Sequence, residues 1–253
     1  VVLKVDHLSY QPKTSDKLLL NDVSFEVRKG EIVCIAGIDG NGKSELIYNL
    51  TGLEQPNMGH VYLNDEEIRH KSIRYRNDHG LSHIPEDRHK HGLVLDYTLG
   101  ENLILKSYYK KDFQNHGIIN LDAMNTYADH LIEEYDVRSG EGRNSIVRGM
   151  SGGNQQKAII AREVEQNDDL LIAVQPTRGL DVGAIEFIHK QIVKTRDNNK
   201  AVLLVSLELD EVLNVSDRIA VVNNGELIGI VNANETNENE VGLMMAGVKK
   251  EEA

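Results

Sequence analysis

The sequence predicts an α/β fold: strands and helices around a parallel core, with an antiparallel β portion near the N-terminus and a helical subdomain inserted midway. Three observations lead there. Short apolar runs such as Leu170–Val174 and Ala201–Val205 have the length of buried strands, and each is followed by a helical pattern. A glycine-rich loop at residues 37–44 separates another such run from a helix. Between about Asp87 and Gln166 the pattern is mostly helical.

The elements follow in order. Residues 2–10 alternate roughly between apolar and polar, as a half-exposed antiparallel strand would. Residues 11–17 form a polar turn, and 18–27 a second strand closed by Lys29-Gly30. Residues 31–36 are a short buried strand, 43–52 a helix, and 59–63 a strand ending in an Asn64-Asp65 turn. The helical middle has polar joints at Asn115-His116-Gly117 and at residues 139–142. After Leu170–Val174 comes a helix with Ile185, Ile188 and Ile192 on one face. Ala201–Val205 is followed by a short helix to about Asn214, and residues 218–231 read as a closing hairpin around Gly225. The Asn-rich stretch 232–240 reads as a loop, and 249–253 as a frayed tail. The core therefore comprises residues 1–86 and 167–248, interrupted by a helical subdomain at 87–166.

The chain has 253 residues, 40% hydrophobic and 27% charged, close to an ordinary soluble domain. Tryptophan is absent, so the core is aliphatic. A formal net charge of -12 argues against a general nucleic-acid binder, which needs a basic field. The single cysteine, Cys34, lies in an apolar run; it has no disulfide partner within the chain and reads as a buried core residue in a reducing compartment. No apolar run approaches the roughly 20 residues of a membrane helix. The chain opens on Val1 in a strand pattern, which reads as a piece cut from a longer protein. His79, His83, His89 and His91 are scattered through a charged segment and read as surface groups without metal-ligand spacing.

The stretch Gly37-Ile38-Asp39-Gly40-Asn41-Gly42-Lys43-Ser44 fits G-x-x-x-x-G-K-[ST] and stands where that motif must, after a strand and before a helix. Gly37, Gly40 and Gly42 let backbone N–H groups converge on phosphate oxygens, and the helix N-terminus adds a favourable dipole. Lys43 reaches the outer phosphates, and the Ser44 hydroxyl can ligate Mg²⁺. Glu45, next in the helix, and Asn41 complete the predicted ATP-binding set from this loop.

A second motif, Ser151-Gly152-Gly153-Asn154-Gln155-Gln156, begins another helix. Ser151 can cap it, and the glycines allow close approach of an anion. Alone it equally describes an ordinary helix start. Its order after the phosphate loop, with Pro176-Thr177-Arg178-Gly179-Leu180-Asp181 following, resembles the nucleotide-binding domain of ABC transporter ATPases, with a P-loop NTPase core. The resemblance implies a signature motif at Ser151, Gly152, Gly153, Asn154 and Gln155, and a D-loop at Asp181. Tyr10 would be the aromatic that stacks on adenine; a strand-edge tyrosine is the plain alternative. Pro85-Glu86-Asp87-Arg88, Gly92-Leu93-Val94 and 176–184 are similar to the C-terminal ATPase half of fused, two-domain sugar importers. Residues 171–176 and 184–189 look more like the nucleoside branch, which works with a solute-binding lipoprotein.

The implied partners are an N-terminal ATPase half of the same parent chain, two membrane permease subunits and, indirectly, that lipoprotein. The implied place is peripheral, on the cytoplasmic face of the membrane. Residues 86–102 would receive the permease's coupling helix. Two other classes stay open: a soluble ABC-type ATPase acting on DNA or ribosomes, and a catalytically dead nucleotide sensor. The roughly 80-residue insertion without a cysteine cluster, and the acidic charge, count against the first.

The sequence departs from the family at the hydrolytic positions. Aligned on Pro176-Thr177, the aspartate of the Mg²⁺ shell is Val174 and the catalytic glutamate is Gln175. The switch histidine is Leu207, and the Q-loop glutamine is Glu86, which offers the metal an alternative carboxylate. Gln175 can hold a water but cannot take its proton.

Overall fold

The computed structural model describes residues 1–248; the tail at 249–253 lies outside the described residues. The chain divides into two units. The first comprises Val1–His83, Asp168–Gln175 and the described residues 192–248; the second comprises Ile84–Asn167 and Pro176–Gln191. Residues 176–191, read with the core from sequence, thus group with the helical unit.

The first unit holds two sheets. β1 (Leu3–Tyr10) pairs antiparallel with β2 (Leu20–Val27) and with β4 (Met58–Leu63), and β5 (Glu66–Glu67) extends that sheet. The second sheet has the order β12-β11-β3-β10-β9-β6. Its members are β3 (Ile32–Ala36), β6 (Leu81–Ile84), β9 (Leu170–Val174), β10 (Ala201–Val205), β11 (Arg218–Asn223) and β12 (Glu226–Asn232). β3, β9, β10 and β11 run parallel, and β12 closes the edge antiparallel. β3, β9 and β10 are buried at every residue, which is why they read as unbroken apolar runs. Aliphatic side chains from both sheets and from the helix at Lys43–Thr51, including Leu3, Val23, Ile35, Leu46 and Leu203, share one core.

The hairpin turns share one geometry. Asn64-Asp65, His116-Gly117 and Asn224-Gly225 all have positive φ at both central residues, the twist that two-residue hairpins require. The middle pair joins β7 (Gln114–Asn115) to β8 (Ile118–Ile119), a small hairpin where the sequence showed a polar joint.

Helix α1 (Lys43–Thr51) follows the glycine-rich loop, and α2 (Ile73–Asp78) was not legible from sequence. α2 presents Arg76, fully buried, which donates to the backbone oxygens of Asn49, Leu50, Ile68 and Arg69 and so caps the end of α1. Burial alone pulls its guanidinium down to about 10. α6 (Val182–Asp197) buries Ile188 and Ile192, and α7 (Leu209–Val215) follows β10. The stretch read as an Asn-rich loop contains the start of α8 (Glu238–Met245). Asn237 caps it by accepting from the Glu240 N–H, and Val241 and Met244 bury its apolar face.

The second unit is built on α3 (Leu99–Leu103), α4 (Leu121–Glu134) and α5 (Gly152–Glu165). Thr98 and Glu101 form a reciprocal capping box at the start of α3. Inside, Glu163 is paired twice: to Arg162 Nε at 2.9 Å and to Lys106 Nζ at 2.6 Å. A buried carboxylate is tolerated when paired this way.

Candidate functional site

The phosphate loop leaves the carboxyl end of β3. Gly37 is buried, while residues 38–40 are exposed. A Cβ on Gly37 would lie 2.4 Å from the Val222 carbonyl oxygen, so only glycine fits. Gly42, at φ 95, caps α1 from the left-handed region, and a Cβ there would meet the Leu19 carbonyl oxygen at 2.6 Å. Lys43 is buried, with its ammonium donating to the carbonyl oxygens of Gly37, at 2.8 Å, and Ile38. The charge therefore sits inside the loop's curve. Ser44 and Glu45 are half-buried in the first turn of α1. Glycine-shaped backbone, a helix N-terminus and an enclosed lysine together fit a polyphosphate.

β3, β10 and β9 are adjacent and in register, Ile35 beside Val205 and Val205 beside Val174. Their carboxyl ends share one edge of the sheet, where ligands of such sheets bind. The phosphate loop, Leu207 and Gln175 therefore issue from neighbouring strand ends. Gln175 donates its N–H to the Val205 carbonyl at 2.7 Å and holds φ at 44. Among the described positive-φ residues with side chains it is the one that is neither Asn, Asp nor His. Val174 is buried and Leu207 half-buried. Neither residue nor Gln175 supplies a carboxylate or an imidazole. Asp168 and Asp169 precede β9, at the opposite end of the strand; Asp168 accepts from the Ser82 hydroxyl, and Asp169 from the Asn64 amide.

Cys34 lies in the middle of β3, fully buried. Burial, and then the charge of Glu211, push its thiol from 9.0 up to about 12. It is an unreactive core group.

Tyr10 ends β1 with a side chain 7% exposed, packed in the core of the first unit. Burial and the neighbouring Glu54 raise its phenol. A ring so covered offers little face to a base.

The second unit gathers the remaining candidates. Glu86 accepts from Arg178 Nη1 at 2.9 Å, a partner the sequence did not suggest. Ser151 caps α5, its hydroxyl oxygen accepting from the Asn154 backbone N–H at 3.4 Å and from Asn154 Nδ2 at 3.0 Å. Ser151 is exposed; Gly152, Gly153 and Asn154 are half-buried. Gln155 turns inward, bonded to His89 at 2.9 Å and to the Val147 carbonyl at 2.9 Å. Asn154 Oδ1 accepts from the Arg138 N–H. Asp181 caps the start of α6 by accepting from the Ala184 N–H, and its other oxygen lies 3.7 Å from where a Cβ on Gly153 would be. His83, His89 and His91 make no metal cluster among the described residues; the one such group there is His130 with Glu134 and Glu165, whose carboxylate oxygens lie 3.3 and 3.8 Å from its Nε2. No helix among the described residues is long and apolar enough to cross a membrane.

Sequence reasoning missed the scaffolding of the phosphate loop: Val222, Asn223 and Gly225 in the β11–β12 hairpin, and Leu19 before β2. Their spacing from the loop, over 180 residues for Asn223, leaves no local signal.

Comparison with known proteins agrees with this geometry. The family model described as "ABC transporter" matches residues 20–178. A guanosine import ATP-binding protein of Bacillus subtilis is 54% identical over 92% of this chain and 46% of its own length. A nucleoside import ATP-binding protein of Lactococcus lactis is 48% identical over 98% of this chain and 48% of its own. A ribose import ATP-binding protein of Clostridium tetani is 35% identical over 95% of this chain and 46% of its own. The chain thus spans about half the length of the curated relatives it matches. Among solved structures, an ATP-binding subunit of an ABC transporter superposes with a TM-score of 0.79 at 22% identity, covering 97% of this chain and 100% of that one. The chain belongs to the ABC transporter family, as one of its ATP-binding domains.

Proposed function

We propose that this chain is the second ATP-binding half of a nucleoside importer, holding ATP at a degenerate site and offering Ser151 to Asn154 to the nucleotide of its partner half. One observation carries the transport reading. Identity is 54% and 48% to two proteins named for guanosine and nucleoside import, against 35% to a ribose importer, and each alignment spans about half of the relative. On this reading the partners are an N-terminal ATPase half, two permease subunits and a solute-binding lipoprotein, and the chain works at the cytoplasmic face of the membrane.

Gln175 carries the reading that the site holds rather than cleaves. ATP would lie with its phosphates over residues 37–42, and Lys43 would turn its charge to the outer phosphates. Ser44 would supply the one protein oxygen at Mg²⁺, the other positions falling to phosphate and water. Glu86 has Arg178 as its partner, which supports a role in ordering the segment rather than in binding metal. At the end of β9, an amide can orient a water but leaves its proton in place.

The test is nucleotide binding and single-turnover hydrolysis by this chain, alone and joined to an N-terminal half. Binding without measurable turnover is expected from the chain alone. Lys43→Ala should weaken binding by roughly ten- to a hundredfold, the size of a charge-assisted contact. Turnover at an ordinary rate, abolished by Lys43→Ala, would overturn the holding role. Uptake assays in cells lacking the gene should show lost nucleoside import with ribose import intact; the reverse pattern would assign a sugar importer.

A further inference from the structure

We propose that Asn223, in the β11–β12 turn, is a positioning residue for the phosphate loop and sets nucleotide affinity through Asn41. The inference rests on the reading of residues 37–44 as the nucleotide site and goes beyond it, because Asn223 lies outside every motif.

Within its own sequence the loop is tied by Lys43 to the carbonyls of Gly37 and Ile38, while the side chains of residues 38–40 are exposed. Its remaining anchors come from the hairpin. Asn41 Nδ2 donates to Asn223 Oδ1 at 3.0 Å. The Asn41 carbonyl accepts from the Gly225 N–H, also at 3.0 Å. Gly37 lies directly under the Val222 carbonyl oxygen. A third strand of chain locks the arrangement: Asn21 N–H donates to the Gly225 carbonyl at 2.8 Å, and the Leu19 carbonyl oxygen crowds both Gly42 and Gly225. The approach is so close that a Cβ on Gly225 would sit 2.3 Å from that oxygen.

The Asn223 side chain is itself held. A Cβ on Gly247, just past α8, would lie 2.7 Å from Asn223 Nδ2, so the amide is packed between the loop and the turn after α8. Its orientation leaves Oδ1 aimed at Asn41. Asn41 immediately precedes Gly42 and Lys43, so fixing it fixes where the following N–H groups and the ammonium point. A cradle ordered before its ligand arrives loses less freedom on binding. Removing the Asn223 amide leaves the β11–β12 ladder and the Gly225 bond to Asn41 intact but loosens the loop, so affinity should fall while the fold holds.

The experiment titrates a fluorescent ATP analogue against the 253-residue chain and its Asn223→Ala, Asn41→Ala and doubly substituted forms. Thermal melts and amide exchange at residues 38–42 without nucleotide accompany it. Each single change should weaken binding by roughly three- to tenfold, the range of one net hydrogen bond. The double change should be no worse than the weaker single one, because the two residues act as a pair. Exchange in the loop should quicken with melting temperatures little changed. Additive losses, or unchanged affinity with unchanged loop exchange, would overturn the proposal. Asn41→Ala alters only the loop, so it tests the pair even if Asn223→Ala fails to fold. If the unsubstituted chain binds no analogue, the nucleotide-site reading fails separately; the exchange data still decide whether the hairpin orders the loop.

Discussion

The phosphate loop and the ends of β9 and β10 lie on the same edge of one sheet, yet they are equipped differently. The loop carries every group an anion needs: close-fitting glycines, a helix start and an enclosed Lys43. The strand ends carry Val174, Gln175 and Leu207, none of which can transfer a proton or balance a metal's charge. On the proposed reading, affinity and turnover are separable properties of this nucleotide site. The first depends on backbone shape, which packing maintains; the second on a few side chains that can change without disturbing the sheet.

The largest effect should come from restoring the second region. Val174→Asp, Gln175→Glu and Leu207→His together should raise single-turnover hydrolysis by roughly a hundredfold, the lower end of what a positioned general base contributes. No gain would mean that groups other than these three limit the chemistry. Next is Gly37→Ala, which forces a methyl against the Val222 carbonyl oxygen. Overpacking of this kind costs about 1–3 kcal/mol, so chemical melts should shift and nucleotide binding should be lost. An alanine variant of full stability and affinity would show that backbone fit is not what makes the loop.

The last effect, small over any single pH unit, concerns the strand under the loop. Cys34 holds its proton up to about 12 when folded, against 9.0 as the ordinary value. Above pH 9 the unfolded chain releases a proton that the folded chain keeps. Stability from this group is therefore complete below pH 9 and falls by about 1.4 kcal/mol per pH unit towards pH 12. Urea melts at rising pH, compared with Cys34→Ala, should show that difference in slope; parallel slopes would refute it.

Much of this was legible in the sequence because the signals were local. β3, β9 and β10 are continuous apolar runs, and the loop's glycines stand at fixed offsets from Lys43. What escaped depends on distant pairing. α2 spans only Ile73–Asp78, too short for a periodic signal, and its purpose lies in Arg76 reaching the carbonyls of Asn49 and Leu50. α8 was hidden because Asn237, a residue that favours loops, was capping a helix. Glu86 pairs with Arg178, 92 residues further along the chain, a contact that no local pattern announces. Gln155, in the implied signature motif, pairs its amide with His89 and the Val147 carbonyl, a contact set by the fold of its unit.

The backbone of Gln175 carries one more implication. A glutamine at φ 44 is dearer than a glycine would be, by about 1 kcal/mol. An amide held there suits the work of keeping a water in place without consuming it. On the proposed reading, the nucleotide leaves this half only by dissociating. The interval between one transport cycle and the next would then be timed by an off-rate here, while the partner half supplies the power stroke.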